Sequence, residues 1–269
     1  MKTVREATIK KAVLRLVEDN RSFTGILIAE GKIKVRLTGD DADDVWRRLH
    51  DEAGKADPQY FGYDGAKSRF LHFFAGGFES QAYIDEERAY KLVAREKLGK
   101  TLPLEAALTG SGHGETALAA VRSLNLLSPF EKVRLQDALR GPLADQFVRG
   151  AARFATGEMK AGLIEMERAL KPSECAKWTV VTFLPFLWRP DAHMFLKPQV
   201  TTDFAARVGH RFANEYAPPL DLSIYESLLD LTSQTEREIH ELAPRDRIDI
   251  QSFIWVIGDY QDGREELRA

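Results

Sequence analysis

One cysteine in 269 residues, Cys175, has no partner for a disulfide within the chain. A disulfide-stapled secreted scaffold is therefore excluded, and a reducing, cytoplasmic setting is the expectation. Histidine is sparse as well. The six of them (His50, His72, His113, His193, His210, His240) include no His-x-His or His-x3-His pair. With a single cysteine, the ligand spacings that signal zinc are missing, and neither a metal nor another cofactor is expected. Long apolar runs are also missing. The densest, "WTVVTFLPFLW", is well short of the roughly 18 apolar residues a membrane helix needs, so a soluble protein with no membrane partner is expected. The opening "MKTVREATIKKAVLRLVEDN" carries charges every few residues and lacks the apolar core of a secretory signal. Net charge is small: −3 in total, which provides no long-range attraction for nucleic acid or anionic lipid. Any such binding must come from a local patch.

What the chain does contain is a composition of 44% hydrophobic and 29% charged residues, that of a folded protein. Its length suits one large or two smaller domains. The pattern predicts an α+β fold: a small N-terminal ββαββ module within residues 1–77, then a larger, mainly α-helical domain over 78–269. Ile9, Val13, Leu16 and Val17 recur at helical spacing and predict a first helix. "FTGILIAEGKIKVRLTG" reads as two strands joined at Glu30-Gly31. "DDADDVWRRLHDEAG" places Ala42, Val45, Trp46, Leu49 and Ala53 on one helical face, with Asp40 to Asp44 at the positive end of the dipole. A second hairpin is expected at Asp64-Gly65 within "YFGYDGAKSRFLHFF".

Helical signals dominate beyond residue 77. Ser80 can start a helix carrying Tyr83, Ala89, Tyr90 and Val93, and "LTGSGHGE" reads as a flexible joint. In "SPFE", Ser128 can cap, Pro129 can take the first helical position and Glu131 can close a capping box. A long helix is predicted from about Leu222 to Leu242 and a buried closing helix from about Ile248 to Ile257. "GEMKAGLIEMERALKP" resembles the second half of a single tetratricopeptide unit, with Gly162, Leu163, Met166, Ala169 and Leu170 at the small and large positions and Pro172 close after. Only one such unit is present, so the resemblance implies a packed helix pair and not a repeat array.

Three functions follow as expectations. In "KIKVRL" the alternation predicts Lys32, Lys34 and Arg36 on one strand face and Ile33, Val35 and Leu37 on the other. If both hairpins share one sheet, Lys67 and Arg69 join that face, with Tyr60 or Tyr63 at its rim. Such a surface suits DNA or RNA, because cations displace counterions and rings stack on bases. Against it, residues 20–77 carry nine Lys/Arg and nine Asp/Glu, and solvated strand faces are commonly basic. The alternative is a helical scaffold that binds a protein partner beside Phe186, Trp188 or Trp255. A third reading is an enzyme pocket where "WRPDAHMFLKP" (Arg189, Asp191, His193, Lys197) meets "PRDRID" (Arg245, Asp246, Arg247, Asp249). Other patterns fail on their own chemistry. "TGSGHGE" lacks the Gly-Lys-Ser/Thr of a phosphate loop, and an Asp19, Glu30, Lys32 nuclease trio is broken by the turn at Gly31.

Overall fold

The computed structural model describes residues 2–9, 11–19, 22–55 and 60–260. The chain divides into two compact units, Met1–Arg69 with Thr201–Tyr216 and Phe70–Val200 with Ala217–Ala269. The sequence reading places its boundary at 77. The division into compact units falls inside a helix, and Phe70, Phe73 and Phe74 pack with aromatic side chains of the second unit.

In the first unit β1 (Lys2–Ile9), β2 (Ala12–Asp19), β3 (Ser22–Ala29) and β4 (Lys32–Gly39) form an antiparallel meander in chain order. The turn at Glu30-Gly31 has positive φ at both residues, 54° and 71°, the backbone that a two-residue hairpin demands and that glycine adopts at low cost. The helix expected near Ile9 to Val17 is instead the β1–β2 hairpin. Period two prevails there, since Leu14 and Leu16 point together into the core beside Leu27. Helix α1 (Ala42–Gly54) starts at Asp41, whose side chain accepts from Asp44 N at 2.7 Å. Val45, Trp46, Leu49 and Ala53 close the core over the sheet.

The second hairpin is not formed. Residues 62–73 make helix α2 (Gly62–Phe73), which buries Ala66, Phe70 and Phe73 at helical spacing. Gly65 marks no turn: a side chain there would collide with the Phe61 ring. The N-terminal unit is thus a four-stranded sheet with helices, within the α+β class.

The second unit is helical. Residues 81–83 lead through a π-helical turn, Ile84–Arg88, into α3 (Ala89–Thr101). Then follow α4 (Leu104–Thr109), α5 (Gly114–Ser123), α6 (Pro129–Arg140), α7 (Ala144–Ala155), α8 (Met159–Leu170), α9 (Phe183–Trp188), α10 (Leu222–Glu238) and α11 (Arg247–Asp259). Ser80 caps the first of these runs, and Ser128 with Glu131 forms the full capping box at α6. Helices α7 and α8 are the packed pair that the tetratricopeptide resemblance implies, pressed together at glycine: a Cβ on Gly162 would lie 2.5 Å from Gly150 O and 2.6 Å from Phe154 N. No helix of the described residues is long and apolar enough to cross a membrane.

Gly162→Ala is expected to force α7 and α8 apart and to destabilise the protein by about 1–3 kcal/mol in urea unfolding. Gly99→Ala, in the open interior of α3 with nothing within 4 Å, should instead stabilise it by about 0.5–1 kcal/mol. Equal effects at the two glycines would contradict the backbone contact.

Candidate functional site

The basic sheet face does not assemble as the alternation predicts. Leu27 pairs with Val35 but Ile28 pairs with Ile33, so Lys34 is an extra residue in a bulge. Cross-strand partners share a face. Arg36 therefore sides with Ile26, whereas Lys32 sides with Ala29 on the opposite face. Ile33 takes the place intended for a cation and is 54% exposed. Lys34 is held by Glu30 at 3.1 Å. Lys67 and Arg69 lie on α2, with Lys67 paired to Asp64 at 3.0 Å, and not on a returning strand. Tyr60 and Tyr63 are half-buried, Tyr63 edge-on to Phe204. The seven residues do not form one surface on the sheet.

The two charged loops do meet. Arg247 N donates to Pro190 O at 2.9 Å, and the Arg247 guanidinium donates to Ala192 O. Pro190, Asp191 and the 243–247 segment line a shallow hollow of about 440 Å³. Its expected chemistry is dispersed, however. Arg189 and Asp191 pair with each other at the surface. His193 turns inward, its ring nitrogens 3.0 Å from Tyr225 Oη and 3.1 Å from Ala155 O, and burial pulls its pKa down to about 4. These contacts make His193 a core residue.

Arg245 and Asp249 belong to a buried network. Asp249, 0% exposed, accepts from the Tyr83 hydroxyl, from Arg88 Nη1 at 2.7 Å and from Arg245 N and Nε at 2.8 and 2.9 Å. Asp246 takes both Arg88 terminal nitrogens at 2.8 and 2.9 Å and caps α11 through Ile248 N. Burial opposes ionisation of Asp246, yet the Arg88 guanidinium holds its carboxyl below the usual range. Burial, reinforced by the Asp249 charge, pushes the Tyr83 phenol well up. One turn further along, Lys91 is 0% exposed. Its Nζ donates to Ser252 Oγ at 2.8 Å and to Glu87 Oε2 at 3.2 Å, and Glu87 Oε1 accepts from the Tyr260 hydroxyl at 2.7 Å. Burial lowers the Lys91 pKa against the attraction of Glu87.

This network backs a cavity of about 460 Å³, within the range of small-ligand sites. Tyr90, Phe195 and Trp255 supply ring surface to it, Lys91 and Lys197 ammonium groups, and Asn125 and Gln251 amides. Two of these groups are incompletely used. Gln251 is 4% exposed, and its Oε1 is buried without a hydrogen-bond partner among the described residues. Lys197 Nζ donates to Leu126 O at 3.1 Å and forms no ion pair among the described residues, although its charge helps to lower the Glu131 pKa from a distance. Lys197 was legible as a candidate in the sequence. Gln251 and Trp255 were not read as one site with it, because "QSFIWVI" looks like an apolar core helix; the only hint was a glutamine on its buried side. Among the described residues no cluster of three or more His, Cys, Asp or Glu could hold a metal.

Asp249→Ala leaves Arg88 with Asp246 alone and takes the acceptor from the Tyr83 hydroxyl and from Arg245, so it is expected to cost about 1–3 kcal/mol for each buried donor left unpaired in urea unfolding; a total cost below about 1 kcal/mol would mean that water reaches the network. For His193, the unfolded chain titrates near 6.5 and the fold near 4. Between these values the unfolded state binds more protons, so stability falls as pH drops. From pH 7 to pH 5 the wild type should lose about 2 kcal/mol more than His193→Gln. Equal losses would show that His193 is charged in the fold.

No family model, no curated protein and no solved structure matches the chain.

Proposed function

We propose that the protein binds a small ligand carrying a flat ring and an anionic group, and that its site is the cavity between α3, α11 and the segment around Lys197. The observation that carries this reading is the pairing, along one cavity, of a buried amide oxygen without a donor among the described residues with an ammonium that forms no ion pair there and feels only the more distant charge of Glu131. A buried acceptor left unsatisfied costs about 1–3 kcal/mol. A ligand N–H removes that cost on binding, and a ligand anion meets Lys197. Trp255 and Tyr90 supply half-exposed rings for stacking. Glu87 and Lys91 satisfy one another, so they shape the site and hold it neutral on that side. A cytoplasmic setting is part of the proposal, supported by a single, buried thiol: burial pushes the Cys175 pKa up to about 11, which suppresses its reactivity.

Nucleic-acid binding by the sheet cations, the reading expected from sequence, is a weaker proposal once Lys32 and Arg36 occupy opposite faces. A salt-series titration with single- and double-stranded DNA and RNA separates the two readings. Salt-steep binding that is lost in a Lys32, Lys34, Arg36 triple alanine variant would favour the sheet.

Gln251→Leu should be the most telling substitution. If the amide serves a ligand, removing it from the ligand-free protein relieves an unsatisfied group, and the protein should be as stable as wild type or up to about 1 kcal/mol more stable. The same variant, and Lys197→Met, should weaken the binding of ring-bearing carboxylates and phosphates detected by ligand-observed NMR, by about tenfold. A clear loss of stability in Gln251→Leu, or fragment binding unchanged in both variants, would sink the assignment of this cavity.

A further inference from the structure

Granted that reading of the cavity, we infer that its ligand is an adenine nucleotide with a single phosphate. The amide of Gln251 decides the base. No hydrogen bond within the described residues engages its side chain, and the buried Oε1 calls for an N–H. A carboxamide matches the adenine edge with two bonds, its oxygen accepting from the exocyclic amino group while its nitrogen donates to N7. The flat heterocycle has ring surfaces to stack against: Trp255 is half-buried, Tyr90 is 36% exposed, and Phe195 closes the interior. A base needs this combination of π surface and edge-reading amide, whereas a sugar or an aliphatic acid leaves one or the other unused.

Charge decides the phosphate. Lys91 is already compensated by Glu87, so Lys197 is the one ammonium of the cavity that forms no ion pair among the described residues, with only the more distant attraction of Glu131. Glu86 and Glu87 also line the cavity. One cation free of an ion pair, in a lining that also carries carboxylates, suits one phosphate group and opposes the added charge of a triphosphate. The volume of about 460 Å³ holds one nucleotide and not a duplex. The same chemistry is presented by free adenylate and by an unpaired adenylate at the 5′ end of a strand.

The test is calorimetric titration of the full chain with AMP, ATP, inosine 5′-monophosphate, adenosine, ribose 5-phosphate and a short single strand bearing a 5′-phosphorylated adenylate. AMP is expected to bind about tenfold tighter than the inosine compound, which lacks the amino group, and tighter than ATP and adenosine. Gln251→Leu should erase the preference for AMP over the inosine compound, and Lys197→Met the preference for AMP over adenosine. Tighter binding of the strand than of AMP assigns the ligand to a nucleic-acid end, and weaker binding assigns it to the free nucleotide. Ribose 5-phosphate binding as well as AMP, with Lys197 required, overturns the nucleotide and leaves the cavity as an anion site. Ring-bearing acids that bind at Gln251 and Lys197 while AMP does not would also overturn the nucleotide alone. If neither the nucleotides nor those acids bind, the site falls with it.

Discussion

The carboxylate of Asp249, wholly removed from solvent, is the constraint around which the helical unit is arranged. A charge so placed is tolerable only if donors replace its water, and here they come from three directions. Tyr83 and Arg88 reach it from the helix that precedes α3, and Arg245 from the turn before α11. Arg88 is itself held by two carboxylates, Asp249 and Asp246, so the guanidinium fork is fixed in plane. An apolar cluster of the same volume could give comparable stability. It would not fix the axial register of α11 against α3, which these directional bonds do.

That register has a consequence one turn along. The π-helical turn at Ile84–Arg88 places Glu87 and Arg88 on the buried side together, ahead of Lys91. Lys91 then meets Ser252 and Glu87, and Glu87 meets Tyr260. Within this part of the unit the ionised groups are paired by a specific partner. Gln251, between Asp249 and Ser252 in α11 and next to a nearly saturated network, is not. The unmet acceptor is therefore local to the cavity and is not a sign of loose packing around it.

Several elements were legible because a single local requirement decides them. Glu30-Gly31 must turn, since both residues take positive φ. Ser128, Pro129 and Glu131 form a cap from within four residues, and the apolar stripe of α1 has one solution. Where two local patterns compete, tertiary packing chose. "VLRLV" fits either period, and the neighbouring strand β3 made it a strand. Asp64-Gly65 is a good turn sequence, but Phe61 needs the space that glycine leaves, and the aromatic residues of α2 are spaced for a helix. The bulge at Lys34 has no signature in the strictly alternating "KIKVRL", because a bulge is a property of the pairing. The candidate cavity was hardly legible at all: its walls come from residues around 90, 125, 196 and 253, brought together only by the fold.

"PRDRID" shows why charge density in a sequence is a poor guide to exposure. Four ionisable residues in six invite a solvated helix start, worth little to stability. The structure puts Asp249 in the interior and Asp246 most of the way there, because Arg88, about 160 residues earlier in the chain, supplies the matching charge. Once that pair is in place, the face of α11 that follows is committed: Ser252 must meet Lys91, and Gln251 and Trp255 are left to line the cavity. A site held in this way stands on helices whose positions are set by buried directional bonds, and so its geometry is defined before any ligand arrives. Preorganisation of that kind favours selective recognition of one small molecule over adaptation to many, since the ordering cost has been met in folding and a misfitting ligand leaves the Gln251 oxygen unpaired.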